Sequence, residues 1–107
     1  MPFDNPNVDQ MSLATLAWRL RNPETWPEGF KWDYRDCTTC AVGLAAAIHY
    51  GTVNRWEDVY DRLFDMVPDD QFRSIFCFLH HSLHLRRHAI TPEHVADAID
   101  EYLAKQS

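Results

Sequence analysis

The sequence predicts an all-α single domain of about five helices around a buried central helix at 40–50. Three observations carry that reading. The run from Cys40 to Tyr50 has one strongly polar side chain, His49, and a helix that is apolar on every side belongs inside a protein. Four other stretches repeat apolar residues at spacings of three and four. Cap residues and prolines punctuate the chain between those stretches.

Residues 1–8, with two prolines and two asparagines, read as a loose arm. Asp9 or Ser12 then caps a first helix, whose stripe is Leu13, Leu16, Ala17 and Leu20. Asn22-Pro23 stops it, because the residue before proline is pushed out of helical geometry. The segment 24–36 is irregular and aromatic, with Trp26, Phe30, Trp32 and Tyr34 among Pro27 and Gly29. Its alternation over Phe30–Tyr34 allows a short extended piece.

Thr38 or Thr39 caps the central helix and Gly51 takes the left-handed turn that closes it. Gly43 and Ala47 share a face that lets a neighbouring backbone come close. Asn54 caps a third helix, with Glu57 at the capping-box position and Trp56, Val59, Tyr60, Leu63 and Phe64 on its apolar face. Pro68 ends it. Asp69 caps a fourth, with Phe72, Ile75, Phe76, Leu79 and Leu83 on one stripe. No Gly or Pro follows before Pro92, so this helix is free to run past Leu83. Thr91 caps a fifth, with Pro92 at the first helical position and Val95, Ile99, Tyr102 and Leu103 facing inward. The tail at 104–107 frays.

Composition narrows the function. The 107 residues suit one domain with a real core, and 46% hydrophobic content argues against disorder. A net charge of -6 disfavours bulk nucleic acid as ligand. No apolar run approaches the roughly 20 residues of a membrane span. MPFDNPNVDQ lacks the basic and apolar regions of a secretory signal, so the expectation is a cytoplasmic protein with reduced thiols.

Three constellations bear on chemistry. Cys37-Thr38-Thr39-Cys40 is a CxxC at a helix start, where the helix dipole favours a thiolate. A thiol oxidoreductase needs a βαβ unit around it, and a cysteine hydrolase needs a histidine on a nearby strand; neither setting is predicted. The bland reading makes Cys40 a small buried residue and Cys37 a loop residue.

The second is Cys77 with His80, His81, His84 and His88. On a continuous helix Cys77, His81, His84 and His88 fall within roughly 60° of one another, opposite the apolar stripe. They then form a solvated or interfacial face. Cys77 and His80 also make a CxxH, which with Cys37 and Cys40 imitates a four-ligand zinc site. Against it, Cys77 and His80 would belong to a regular helix, without the knuckle turn such sites use. No cofactor is otherwise expected.

The third is charge. Residues 71–92 hold Arg73, Arg86, Arg87 and four histidines, and no acid. This is a local positive patch on an acidic chain, suited to an acidic partner or to a second copy of the chain. The carboxylates Asp33, Asp36, Asp65, Asp69 and Asp70 read as caps, and no catalytic signature is present.

The order Trp26-Pro27, Gly29-Phe30, Trp32-Asp33-Tyr34, Thr39-Cys40-Ala41, Gly43-Leu44-Ala45, Ile90-Thr91-Pro92 and Val95-Ala96 resembles a family of small hypothetical bacterial proteins, some of them phage-associated. More distantly it is similar to a set that pairs a Trp and a Gly upstream with a Cys–Gly–Ala helix. The likeness runs over residues 13–103 and leaves out the Cys77–His88 face. It implies a bacterial or phage cytoplasmic protein, and no activity or site residue. The expected function is therefore binding, of another protein or of itself, with Trp26, Phe30, Trp32, Tyr34, Arg73, Arg86 and Arg87 as candidate contacts. A zinc-binding domain built from Cys37, Cys40, Cys77, His80, His81, His84 and His88 is the alternative, ahead of a thiol enzyme.

Overall fold

The first helix, α1 (Leu13–Arg21), lies along the last, α6 (Pro92–Gln106), and this is the most extensive contact between two helices. The structure, a computed structural model, describes residues 13–35 and 40–106, with the backbone alone at 63–66 and 106. The expectations for the arm at 1–8, for Asp9, Ser12, Asp36, Cys37, Thr38 and Thr39, and for the side chains of Leu63, Phe64 and Asp65 lie outside the described residues. Between α1 and α6 come α2 (Ala41–Tyr50), α3 (Trp56–Met66), α4 (Asp69–Phe76) and α5 (Leu79–Ser82). The described residues contain six α-helices, three short 3-10 turns and no strand, so 30–34 is coil and turn rather than extended sheet.

The apolar spacing does what it promised. Leu13, Leu16, Ala17 and Leu20 of α1, and Val95, Ala96, Ile99 and Tyr102 of α6, are buried. Burying each of the leucine, valine and isoleucine side chains among them contributes about 1.5–3 kcal/mol. In α2 every residue from Ala41 to Ala46 is buried, and Ala47 to Tyr50 are half-buried. Gly51 closes α2 with φ 77° and its N–H on the Ala47 carbonyl at 3.1 Å. Only a residue tolerant of the left-handed region fits there.

Two caps differ from expectation, and the expected cap at Thr91 gains a reciprocal partner. Thr52, not Asn54, caps the turn that enters α3, because its hydroxyl accepts the Asn54 N–H at 3.2 Å. Pro68 precedes α4, and Asp69 sits in its first turn, paired with Arg73 at 3.2 Å. An acid there still complements the helix dipole. At α6 the Thr91 hydroxyl accepts the His94 N–H (3.2 Å), and His94 Nδ1 accepts the Thr91 N–H (3.0 Å). That is a reciprocal capping box with histidine in the usual place of Glu or Gln. The expected frayed tail is helical through Gln106, supported by the Glu101–Lys105 pair.

The largest departure is the fourth helix. It does not run past Leu83. It ends at Phe76, and the chain turns through Cys77 and Phe78 into the short α5. Leu79 is thereby buried, while Leu83 is 41% exposed and leaves the core stripe. No helix among the described residues is long and apolar enough to cross a membrane.

Candidate functional site

The aromatic segment is a lid. Trp26, Phe30 and Trp32 are half-buried and pack on the core; Tyr34 is buried. Trp26 meets Phe30 edge-on at 5.5 Å and lies 6.4 Å from Trp32. Both indole N–H groups are spent on backbone: Trp26 donates to the Arg19 carbonyl (2.7 Å) and Trp32 to the Ile90 carbonyl (2.8 Å). Rings anchored in this way tie the loop to α1 and to the start of α6. Beside them Arg35 grips Asp33 through two nitrogens, at 3.0 and 2.9 Å, and holds that carboxyl below its usual range.

The histidines do not share a helix face. His80 and His81 lie in α5, with ring centroids 3.9 Å apart. His84 has φ 55° and ends α5 in the left-handed position that glycine usually fills, while the Leu85 N–H reaches the His80 carbonyl at 2.9 Å. His88 lies in the 3-10 turn Arg87–Ala89. From His81 to Ala89 every residue is exposed. The helical arrangement expected of Cys77, His81, His84 and His88 is thus replaced by a broken, outward-facing segment. It begins at Phe78 and carries Leu83, Leu85, Arg86 and Arg87. Arg73 is exposed on α4 and committed to Asp69.

His80 differs from its neighbours. It is half-buried, and its Nδ1 is shut off from solvent with no hydrogen-bond partner among the described residues. Burial, with help from His81 and Arg87, pushes its pKa below the ordinary value and favours the neutral ring. Its ring stands 6.4 Å from that of Tyr34. Tyr34 in turn lines a cleft of about 230 Å³ with Cys40, Cys77, Arg35 and Arg87. So two of the three cysteines line one space although they stand 37 positions apart in the chain. Among the described residues no three His, Cys, Asp or Glu side chains form a finished metal-holding group.

A second hollow, of about 480 Å³, adjoins the first at Cys77 and is walled by Trp56, Glu57, Tyr60 and Asp61 of α3. Trp56 and Tyr60 meet edge-on with centroids 6.4 Å apart. Sequence reasoning assigned these rings to the apolar face and missed the hollow. The signal was present in the acids Glu57 and Asp61, one turn apart beside two rings that also lie one turn apart. Comparison with protein-family models, curated proteins and solved structures finds no match to this chain.

Proposed function

We propose that this chain is a small protein-binding domain, that the segment 78–87 is its docking surface, and that a second copy of the chain is the occupant. One observation carries the reading. The large apolar side chains that stand exposed among the described residues, Phe78 (42%), Leu83 (41%) and Leu85 (36%), all fall in this stretch, beside exposed Arg86 and Arg87. Scattered exposed apolar residues need no explanation, but a cluster next to one sign of charge suits a partner.

The complement is on the same molecule. The hollow of α3 offers the carboxylates of Glu57 and Asp61 and the rings of Trp56 and Tyr60. A guanidinium entering it meets opposite charge and aromatic surface together. Hollow and basic segment adjoin at Cys77. Each copy therefore gives and receives across a twofold axis, the arrangement of a closed dimer.

Charge reversal tests the pairing. The R86E/R87E and E57R/D61R proteins are each expected to be monomeric in sedimentation, and an equimolar mixture of the two is expected to restore the dimer. Self-association of either reversed protein to the extent seen for the natural chain would overturn the proposal.

A further inference from the structure

Helix α3 presents four residues that interlock on its surface. Trp56 and Tyr60 lie one turn apart, as do Glu57 and Asp61, and Glu57 and Tyr60 are helix neighbours three positions apart. The two rings stand at 89° to one another with centroids 6.4 Å apart, so they make two walls of a corner. Tyr60 in turn meets the fully buried Phe72 edge-on at 4.8 Å. The core therefore holds the corner before any ligand arrives, which lowers the ordering cost of binding. Cys77 adds a polarisable thiol to the wall of the same hollow of about 480 Å³.

The hollow carries negative charge that the fold does not spend. Glu57 and Asp61 are exposed and have no ion pair or hydrogen bond among the described residues. Glu57, in the first turn of α3, complements the helix dipole; Asp61, a turn further on, has no such use. The cation nearest in sequence is committed elsewhere. The Arg55 guanidinium lies over the Tyr50 ring at 4.1 Å and pairs with Asp58.

We infer that this hollow binds a small quaternary ammonium compound of the choline type, whether or not the chain pairs with itself. A trimethylammonium head carries a positive charge and no N–H, so ring faces and nearby carboxylates hold it rather than hydrogen bonds. Two rings at a right angle offer it two such surfaces, and Glu57 and Asp61 supply the opposite charge. The hollow has the size of a small-ligand site. The same carboxylates set the selectivity. Glycine betaine has the same head but carries a carboxylate of its own, which Glu57 and Asp61 repel.

The test is an NMR titration of the natural chain and of R86E/R87E with choline chloride, against sodium chloride at equal ionic strength. R86E/R87E keeps a partner's arginines out of the hollow, so the outcome is independent of the dimer, which sedimentation reads. The expected result is saturable binding of one choline per chain, with the Trp56 indole N–H shifting most among the tryptophans. Glycine betaine and the neutral tert-butyl analogue of choline should each bind at least about tenfold more weakly. Trp56→Leu should weaken choline by a similar factor, and Trp56→Phe, which keeps a ring, by less. E57Q/D61N changes only exposed positions, so it should keep the natural melting temperature and still bind choline several-fold more weakly. Absence of a saturable shift at Trp56 in R86E/R87E would overturn the inference, as would equal affinity for choline and its neutral analogue.

Discussion

The hydroxyl of Tyr34 stands where a helical hydrogen bond between Ile75 and Leu79 would be. It accepts the Leu79 N–H at 3.0 Å and donates to the Ile75 carbonyl at 3.4 Å. A continuous helix would join those two groups directly, four residues apart. A side chain inserted into the ladder is a recognised cause of a helix break. The break leaves Leu79 buried and turns the segment beyond it outward, so one phenol positions the turn at Cys77–Phe78 and the exposed segment alike. Tyr34→Phe is expected to cost about 1–3 kcal/mol, the price of a buried N–H and carbonyl losing their partner. Urea unfolding reads this directly. Unchanged stability would mean that the break has another cause.

Alkaline pH should act through the same group. Burial raises the Tyr34 pKa from 10.0 to about 12. The folded state thus favours the neutral phenol. Its contribution is complete below pH 10, falls as pH rises, and is lost by about pH 12. That rise corresponds to about 3 kcal/mol. The difference in stability between the natural chain and Y34F should shrink over this window. Parallel curves from pH 9 to 12 would contradict the assignment.

Why the break was not legible in the sequence follows from its cause. Nothing from Asp69 to Thr91 is Gly or Pro, and Leu79 and Leu83 continue the apolar stripe of Phe72, Ile75 and Phe76. Local signals therefore favour one long helix. The interrupting group comes from Tyr34, 45 residues before Leu79, and periodicity carries no information at that range. Elements fixed by their own residues were readable: the stripe of α1, the buried start of α2, the Gly51 turn and the Pro92 start of α6. The cap at Thr91 was readable too, but its reciprocal partner His94 was not, because Glu or Gln is the usual residue there. For the site, the residue types were legible and their grouping was not. Cys40 and Cys77 meet at one cleft only after α2 and the end of α4 have packed.

His84 carries a local strain. It is the one non-glycine residue with positive φ among those described, at 55°. A side chain in the left-handed region costs about 1–2 kcal/mol. His84→Gly should relieve this, offset in part by the greater freedom of glycine in the unfolded chain, for a net gain of up to about 1 kcal/mol. Thermal unfolding of H84G beside H84A separates conformational relief from loss of the imidazole. A variant H84G less stable than H84A would contradict the left-handed assignment.

The capping box of α6 gives a paired prediction. Thr91→Ala leaves the His94 N–H without its acceptor and should cost about 0.5–2 kcal/mol. His94→Ala should cost less, because the Thr91 N–H it frees is exposed to water. The double variant should cost less than the sum, since each side chain helps hold the other. Strict additivity in a double-mutant cycle would show that the two bonds are independent.

The most direct test of the docking surface is the intact mass of the untagged chain under native conditions across a range of salt. The account predicts a mass of two 12.6 kDa chains at low salt, giving way to one as salt screens the arginines from the α3 carboxylates. A single-chain mass at every concentration and every salt would contradict it.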